Sequence, residues 1–203
     1  MTTANVGPGT ALAPLYAEHG SIAAVLSAIE SLVHEARDRG ARVDPKIFRA
    51  MLYYLDVFPE REHHPKEESV FFARIRTRTR EGDAVLDELA REHESGERAI
   101  RELEQALVRH EEGGEQEFPA FAAAAERFVA HYREHMRKEE REVIPLARRV
   151  LTAQDWAEID AAFAAHRDPL AGAPPGADYE RLFRHIVNVV PAPLGLGPSL
   201  EKR

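Results

Sequence analysis

The sequence predicts an all-α protein, an up-down-up-down four-helix bundle with two short extra C-terminal helices. Three observations lead there. Aromatic residues make up only 7% of the 203-residue chain and no alternating strand pattern occurs. Ala, Leu, Glu and Arg, all good helix formers, recur at three- and four-residue spacing over long stretches. Glycines and Asp-Pro breaks then cut those stretches into four.

Helix A is expected over 10–39, with Leu15, Ile22, Val25, Leu26, Ile29 and Val33 as its apolar stripe and Gly40 as its stop. Asp44 and Pro45 read as the N-cap and first-turn proline of helix B. That helix continues to 79, although Pro59 and Pro65 should each bend it or remove a backbone hydrogen bond. Glu81, Gly82 and Asp83 turn the chain into helix C, which ends at 112 before Gly113 and Gly114. Helix D covers 118–151, with Pro145 disturbing its last turns. Short connections make consecutive helices antiparallel. Thr152 with Asp155 reads as a capping box for a fifth helix ending near His166. Residues 167–177 form a Pro/Gly linker, and a last helix over 179–190 places Leu182, Phe183, Ile186 and Val190 on one side. The expected division is a bundle over 10–151 and a helical appendage over 152–203 that packs on it.

Composition narrows the function. The net charge is -8, so the averaged field repels nucleic acid and anionic lipid, and neither is an expected partner. The N-terminal segment lacks a basic stretch followed by an apolar run, and no apolar stretch is read as reaching the roughly 20 residues of a membrane span. This points to a cytoplasmic protein. The absence of cysteine removes thiolate metal sites and cysteine nucleophiles, leaving nitrogen and oxygen ligands for any metal. The ten histidines are many for this length, and their placement is informative.

One octapeptide pattern, REHxxKEE, occurs twice, as REHHPKEE over 61–68 and REHMRKEE over 133–140. Each copy sits in an even-numbered helix. Upstream, in the odd-numbered helices, stand Glu18-His19 and Glu92-His93. Helices A and B thus look like a copy of helices C and D. His19 and His93 lie near the starts of their helices, His63/Glu67 and His135/Glu139 nearer the ends of theirs, so an up-down bundle brings all of them to one level. Residues i and i+4 stand about 6 Å apart along a helix and only about 40° apart around it, so each His-x3-Glu couple can reach a single metal cluster. Four imidazoles with two carboxylates, namely His19, His63, His93, His135, Glu67 and Glu139, suit two irons. Without a metal, the buried carboxylates would be costly to desolvate.

These residues resemble the hemerythrin-like, HHE cation-binding family in its bacterial branch. The match spans about residues 10–150, with HHPKEE and the later HxxxEE especially typical. The resemblance implies a non-heme, oxo- or hydroxo-bridged di-iron centre that meets dioxygen, nitric oxide or hydrogen peroxide. Oxygen-carrying relatives use a further histidine one turn after the helix C histidine, and here that position is Glu97, read as a surface residue. This departure argues for redox turnover over oxygen carriage. In some similar proteins a tyrosine completes the metal shell, and Tyr16, Tyr53, Tyr54 and Tyr132 are candidates that sequence does not separate. His131 shares a stripe with His135 and Glu139 and reads either as a hydrogen-bonding neighbour of the cluster or as a partly buried structural histidine. His64 points about 100° away from His63 and is read as solvent-facing. His34 is too distant, and His110 serves a helix C-terminus. Glu68 and Glu140 turn away into supporting or surface roles. Two functions follow: peroxidase- or catalase-like detoxification of peroxide or nitric oxide, and non-catalytic sensing of dioxygen or nitric oxide or storage of iron. No protein general acid is identifiable, and the substrate, reductant and oligomeric state are not readable.

Overall fold

A computed structural model describes residues 8–163, 188 and 201–202. The first helix, α1 (Pro8–Arg39), stops where Gly40 adopts φ +64°, a left-handed conformation that costs glycine little. A two-residue strand follows, β1 (Ala41–Arg42), paired antiparallel with β2 (Glu201–Lys202), which the sequence reading did not foresee. Helix α2 (Pro45–Leu55) begins as its sequence dictates, with the Asp44 side chain accepting from the Lys46 amide at 3.0 Å and proline in the first turn.

The prolines beyond α2 do not break the helical path. A π-helical run (Asp56–His63) leads into α3 (His64–Lys66), a second π-helical run (Glu67–Phe72) and α4 (Ala73–Arg78). Proline lacks an N–H and its ring presses on the carbonyl four residues back. For Pro65 that carbonyl belongs to Arg61, inside the first π-helical run, where the wider i→i+5 turn makes room. Helix α5 (Asp83–Gly113) ends before Gly114 at φ +76° and a 3-10 turn (Gly114–Glu117). The last long stretch is α6 (Phe118–Lys138), a third π-helical run (Glu139–Val143) and α7 (Ile144–Val150). The carbonyl four before Pro145 belongs to Arg141, again inside a π-helical run.

Four long helical stretches thus cover 8–39, 45–78, 83–113 and 118–150, with α1 packing on α6 and α2, and α5 on α6 and α2. Helix α8 (Ala153–Phe163) is capped reciprocally: the Thr152 amide and hydroxyl donate to Asp155 Oδ2 at 2.8 and 2.7 Å, and the Asp155 amide donates to Thr152 Oγ1 at 3.3 Å. The expected end of this helix at His166, the linker and the helix over 179–190 lie outside the described residues.

The core falls into two apolar layers. One joins Ile22, Val25, Leu26, Ile29, Phe48, Phe58, Ile100, Leu103, Phe121 and Met136. The other joins Leu12, Leu15, Phe71, Ile75, Leu86, Leu89, Val143, Leu146, Trp156 and Ile159, so α8 shares this layer with the long helices. Every long helix passes from one layer to the other: between Leu15 and Ile22, Phe58 and Phe71, Leu89 and Ile100, and Met136 and Val143. Those crossing points contain the histidines and glutamates singled out by the repeat, except His135, which stands directly before Met136. By length and composition Leu12–Arg39 in α1 passes as a membrane span, contrary to the sequence expectation, but half of the qualifying window is buried inside the protein.

Candidate metal centre

The polar layer holds all six residues singled out by the repeat. His19 comes from α1, His63 and Glu67 from the two π-helical runs flanking α3, His93 from α5, His135 from α6 and Glu139 from the start of the third π-helical run, and each is buried. Their Nε2 atoms and carboxylate oxygens face one another. His63 Nε2 lies 3.3 Å and His93 Nε2 3.6 Å from Glu67, on its Oε1 and Oε2 respectively. His19 Nε2 lies 3.2 Å from Glu139 Oε2 and 3.9 Å from Glu67 Oε1. His135 Nε2 lies 3.7 Å from Glu139 Oε1 and 3.2 Å from His93 Nε2.

The outward Nδ1 atoms are held by a second set of glutamates. Glu18 on α1 accepts from His63 Nδ1 at 2.7 Å, and Glu68 accepts from His93 Nδ1 on α5 at 2.6 Å. Glu92 on α5 accepts from His135 Nδ1 on α6 at 2.9 Å, and Glu140 closes the circuit by accepting from His19 Nδ1 on α1 at 3.0 Å. Each long stretch therefore sends one glutamate to the histidine of the next, around the whole bundle. A histidine whose Nδ1–H is taken in this way turns an Nε2 lone pair inward, the tautomer a metal requires. Lys138 in turn pairs with Glu92. Sequence reasoning gave Glu68 and Glu140 supporting roles but missed Glu18 and Glu92, although both stand directly before a cluster histidine.

The electrostatics are those of a site assembled for cations. The Glu67 and Glu139 carboxylates are each 1% exposed, and none of their four oxygens accepts a hydrogen bond among the described residues. His19 Nε2 is orphaned likewise. Leaving such groups unmatched costs several kcal/mol, and a bound cation removes that cost. Burial and the neighbouring Glu139 charge push the Glu67 carboxyl well above its usual range. Burial also raises Glu139, but the electrostatic pull of the His135 and His19 imidazoles, the latter 3.2 Å away, outweighs it and keeps Glu139 ionised. For His19, burial is outweighed by Glu139, Glu140 and Glu67, so its pKa rises. His63 is lowered and His93 falls to about 4, both chiefly by burial, leaving them neutral and ligand-competent.

His64 corrects the sequence reading. It is 4% exposed, not solvent-facing; its ring stacks on that of His93 with centroids 4.1 Å apart, and its Nε2 lies 3.0 Å from the Tyr132 hydroxyl. A rotation of about 100° from His63 leads into the bundle rather than to solvent, because His93 of α5 and Tyr132 of α6 cover that side of the helix. Of the four candidate tyrosines, Tyr132 is buried and hydrogen-bonded to Glu60 and His64, whereas Tyr16 and Tyr53 are exposed and Tyr54 stacks on Phe58. Tyr132 also donates to Glu60 Oε1 at 3.1 Å. Glu60 itself is buried against Gly96, where an added Cβ would stand 3.1 Å from its Oε1. Burial pushes the Glu60 carboxyl up to about 8.

The other histidines and Glu97 stand apart. Glu97 has its side chain 57% exposed and pairs with Arg101, His34 pairs with Glu126 at the surface, and His110 donates to the Gly114 carbonyl at 3.0 Å. His131 is half-buried and enters none of the described cluster contacts. A cleft of about 550 Å³ lined by Glu60, His64, Glu68, His93, Glu94 and Glu97 reaches the layer from the α5 side. Two overlapping sets of ligand atoms lie close enough to share a cation: His19, His63 and Glu67, and His64, Glu67, His93 and His135.

Comparison with curated proteins and with solved structures gave no match. The sequence does match the family described as Hemerythrin HHE cation binding domain over residues 10–147, which covers the four long helical stretches except their outermost two or three residues and includes every residue of the polar layer. The chain therefore belongs to the hemerythrin HHE cation-binding family.

Proposed function

We propose that the polar layer holds two iron ions, one beside His19 and His63 and the other beside His93 and His135, with Glu67 and Glu139 spanning both. The observation that carries this reading is the set of four carboxylate oxygens buried without a hydrogen-bond donor while imidazole Nε2 atoms surround them. Glu67 belongs to both sets of ligand atoms, and Glu139 approaches both His19 and His135, which supports shared use of the two carboxylates. Nitrogen and carboxylate donors without thiolate suit iron, which would supply Lewis acidity and electrons toward peroxide, nitric oxide or dioxygen.

The chain's own part is to orient, to exclude water and to hold protons. The ring of glutamates on Nδ1 holds each imidazole in place. Phe58 and Phe72 cover His63 and His93, with ring centroids at 6.3 and 5.9 Å. Glu60 lines the cleft where a small reactant enters, and Tyr132, whose hydroxyl burial keeps protonated, stands behind it in hydrogen-bond contact. This arrangement fits peroxidase- or catalase-like detoxification. The same reading takes the long stretches as an up-down-up-down bundle, supported by their short connections, and the protein as cytoplasmic.

The test is metal analysis of the purified chain followed by peroxide addition. Two irons per chain, a charge-transfer spectrum and sustained oxygen release or donor oxidation are expected. One stoichiometric spectral change without turnover would instead make this a binding protein for dioxygen, nitric oxide or iron. A chain that takes up no iron would refute both readings.

A further inference from the structure

The four histidines of the ring share one arrangement: Nδ1 on a carboxylate, Nε2 toward the centre. A fifth histidine is placed similarly. His64 Nδ1 lies 3.3 Å from Glu60 Oε2, its Nε2 lies 3.0 Å from the Tyr132 hydroxyl, and one of its ring nitrogens is within 4.8 Å of ligand atoms of Glu67, His93 and His135. We infer that His64 is a fifth imidazole ligand of the centre, supplied by α3 beside His63, and that it coordinates the ion held by His93 and His135. This inference rests on the metal reading given above.

Geometry on several sides supports it. The His64 and His93 planes differ by 10° with centroids 4.1 Å apart, so the two rings lie face to face and offer their nitrogens side by side. Among the described residues His64 Nε2 hydrogen-bonds the Tyr132 hydroxyl, and that hydroxyl has a second acceptor in Glu60 Oε1 at 3.1 Å. The tyrosine proton can stay with Glu60 while the imidazole lone pair turns to the cation. Gly96 belongs to the same construction, because any side chain there would press on the Glu60 carboxylate that steadies His64 Nδ1. A histidine merely packed in a core needs neither a carboxylate on one nitrogen nor a cleared helix face behind that carboxylate. The two ions would then have unequal shells: His19 and His63 on one side, and His64, His93 and His135 on the other.

Cobalt(II) in place of iron distinguishes a ligand from a neighbour, because the protons of a coordinated imidazole are shifted far outside the ordinary proton NMR range. The cobalt-loaded full chain is expected to show five shifted, exchangeable imidazole N–H signals, and His64→Gln four. Four signals in the wild-type chain, unchanged in His64→Gln, would overturn the assignment while leaving the metal centre intact. Failure to bind cobalt at all would remove the metal reading and this inference with it. The wild-type count decides the matter even if the variant folds poorly.

Discussion

At the scale of single residues, the site depends on glutamates that touch no ligand position. Glu92 is held ionised at about 2 because the bonds from His135 and Lys138 outweigh its partial burial, so it accepts from His135 at any physiological pH. Glu92→Gln can rotate its amide nitrogen toward His135 and is expected to weaken metal binding by about 10–100-fold, measured by competition with a chelator. An unchanged affinity would show that the ring of glutamates does not position the imidazoles. Glu60 gives a different test, in the metal-free protein. Its folded pKa of about 8 stands above its ordinary 4.5, so the folded state binds the extra proton between these values. The stability tied to that proton is fully present below about pH 4.5 and is lost as pH rises through 8. Glu60→Gln removes this component. Wild type should therefore lose stability relative to the variant as pH rises across that window, by up to about 1.4 kcal/mol per pH unit, read from urea midpoints. Parallel curves would contradict a buried, protonated Glu60.

At the scale of elements, helix ends and ligand spacing were readable, and helical phase was not. Gly40, Asp44-Pro45 and Gly113-Gly114 mark their boundaries because each serves a backbone geometry that few other residues accept. The duplicated His-x3-Glu was equally plain, since one helical turn joins its members. The π-helical runs carry no comparable mark. Pro65 and Pro145 announce a disturbance, but a bend, a break and a widened turn all answer it, and the choice depends on packing in both layers. Which face of the second long stretch the other helices cover was equally unmarked, and this hid His64 and with it the role of Glu60 and Tyr132, which are 72 residues apart in sequence yet share a hydrogen bond. Asp155 shows the opposite case, where a local motif also takes on a distant partner: besides capping α8 it receives two 2.8 Å bonds from Arg78 at the end of α4. Asp155→Ala removes cap and clamp together and is expected to cost about 1–3 kcal/mol in a denaturant titration, with metal content unchanged. A loss below about 0.5 kcal/mol would mean that α8 is held chiefly by its apolar residues Trp156, Ile159 and Phe163.

At the scale of the whole molecule, the two apolar layers are joined through a polar one that is unfavourable when empty of cations. The repeat made this layer visible in the sequence, because duplication put the same residue types at matched depth. The pairing of β1 with β2 had no such signal, two residues on each side being too few to carry a strand pattern. Iron at about 100-fold above its dissociation constant is expected to add about 2.7 kcal/mol of stability. For a chain of this size that is roughly 5–10 °C in Tm. Equal melting temperatures with and without a chelator would show that the orphaned carboxylates are not awaiting a cation.

The circuit of glutamates also bears on when the centre can come into being. No half of the chain is self-sufficient: the first half contains Glu18 and its client His63, but His19 depends on Glu140, near the end of the fourth long stretch. A nascent polypeptide leaving the ribosome therefore exposes histidines without the acceptor that would orient them. On the metal reading, a fully oriented set of imidazoles would exist only once the last long helix has been made, so that cation capture would follow the completion of that helix.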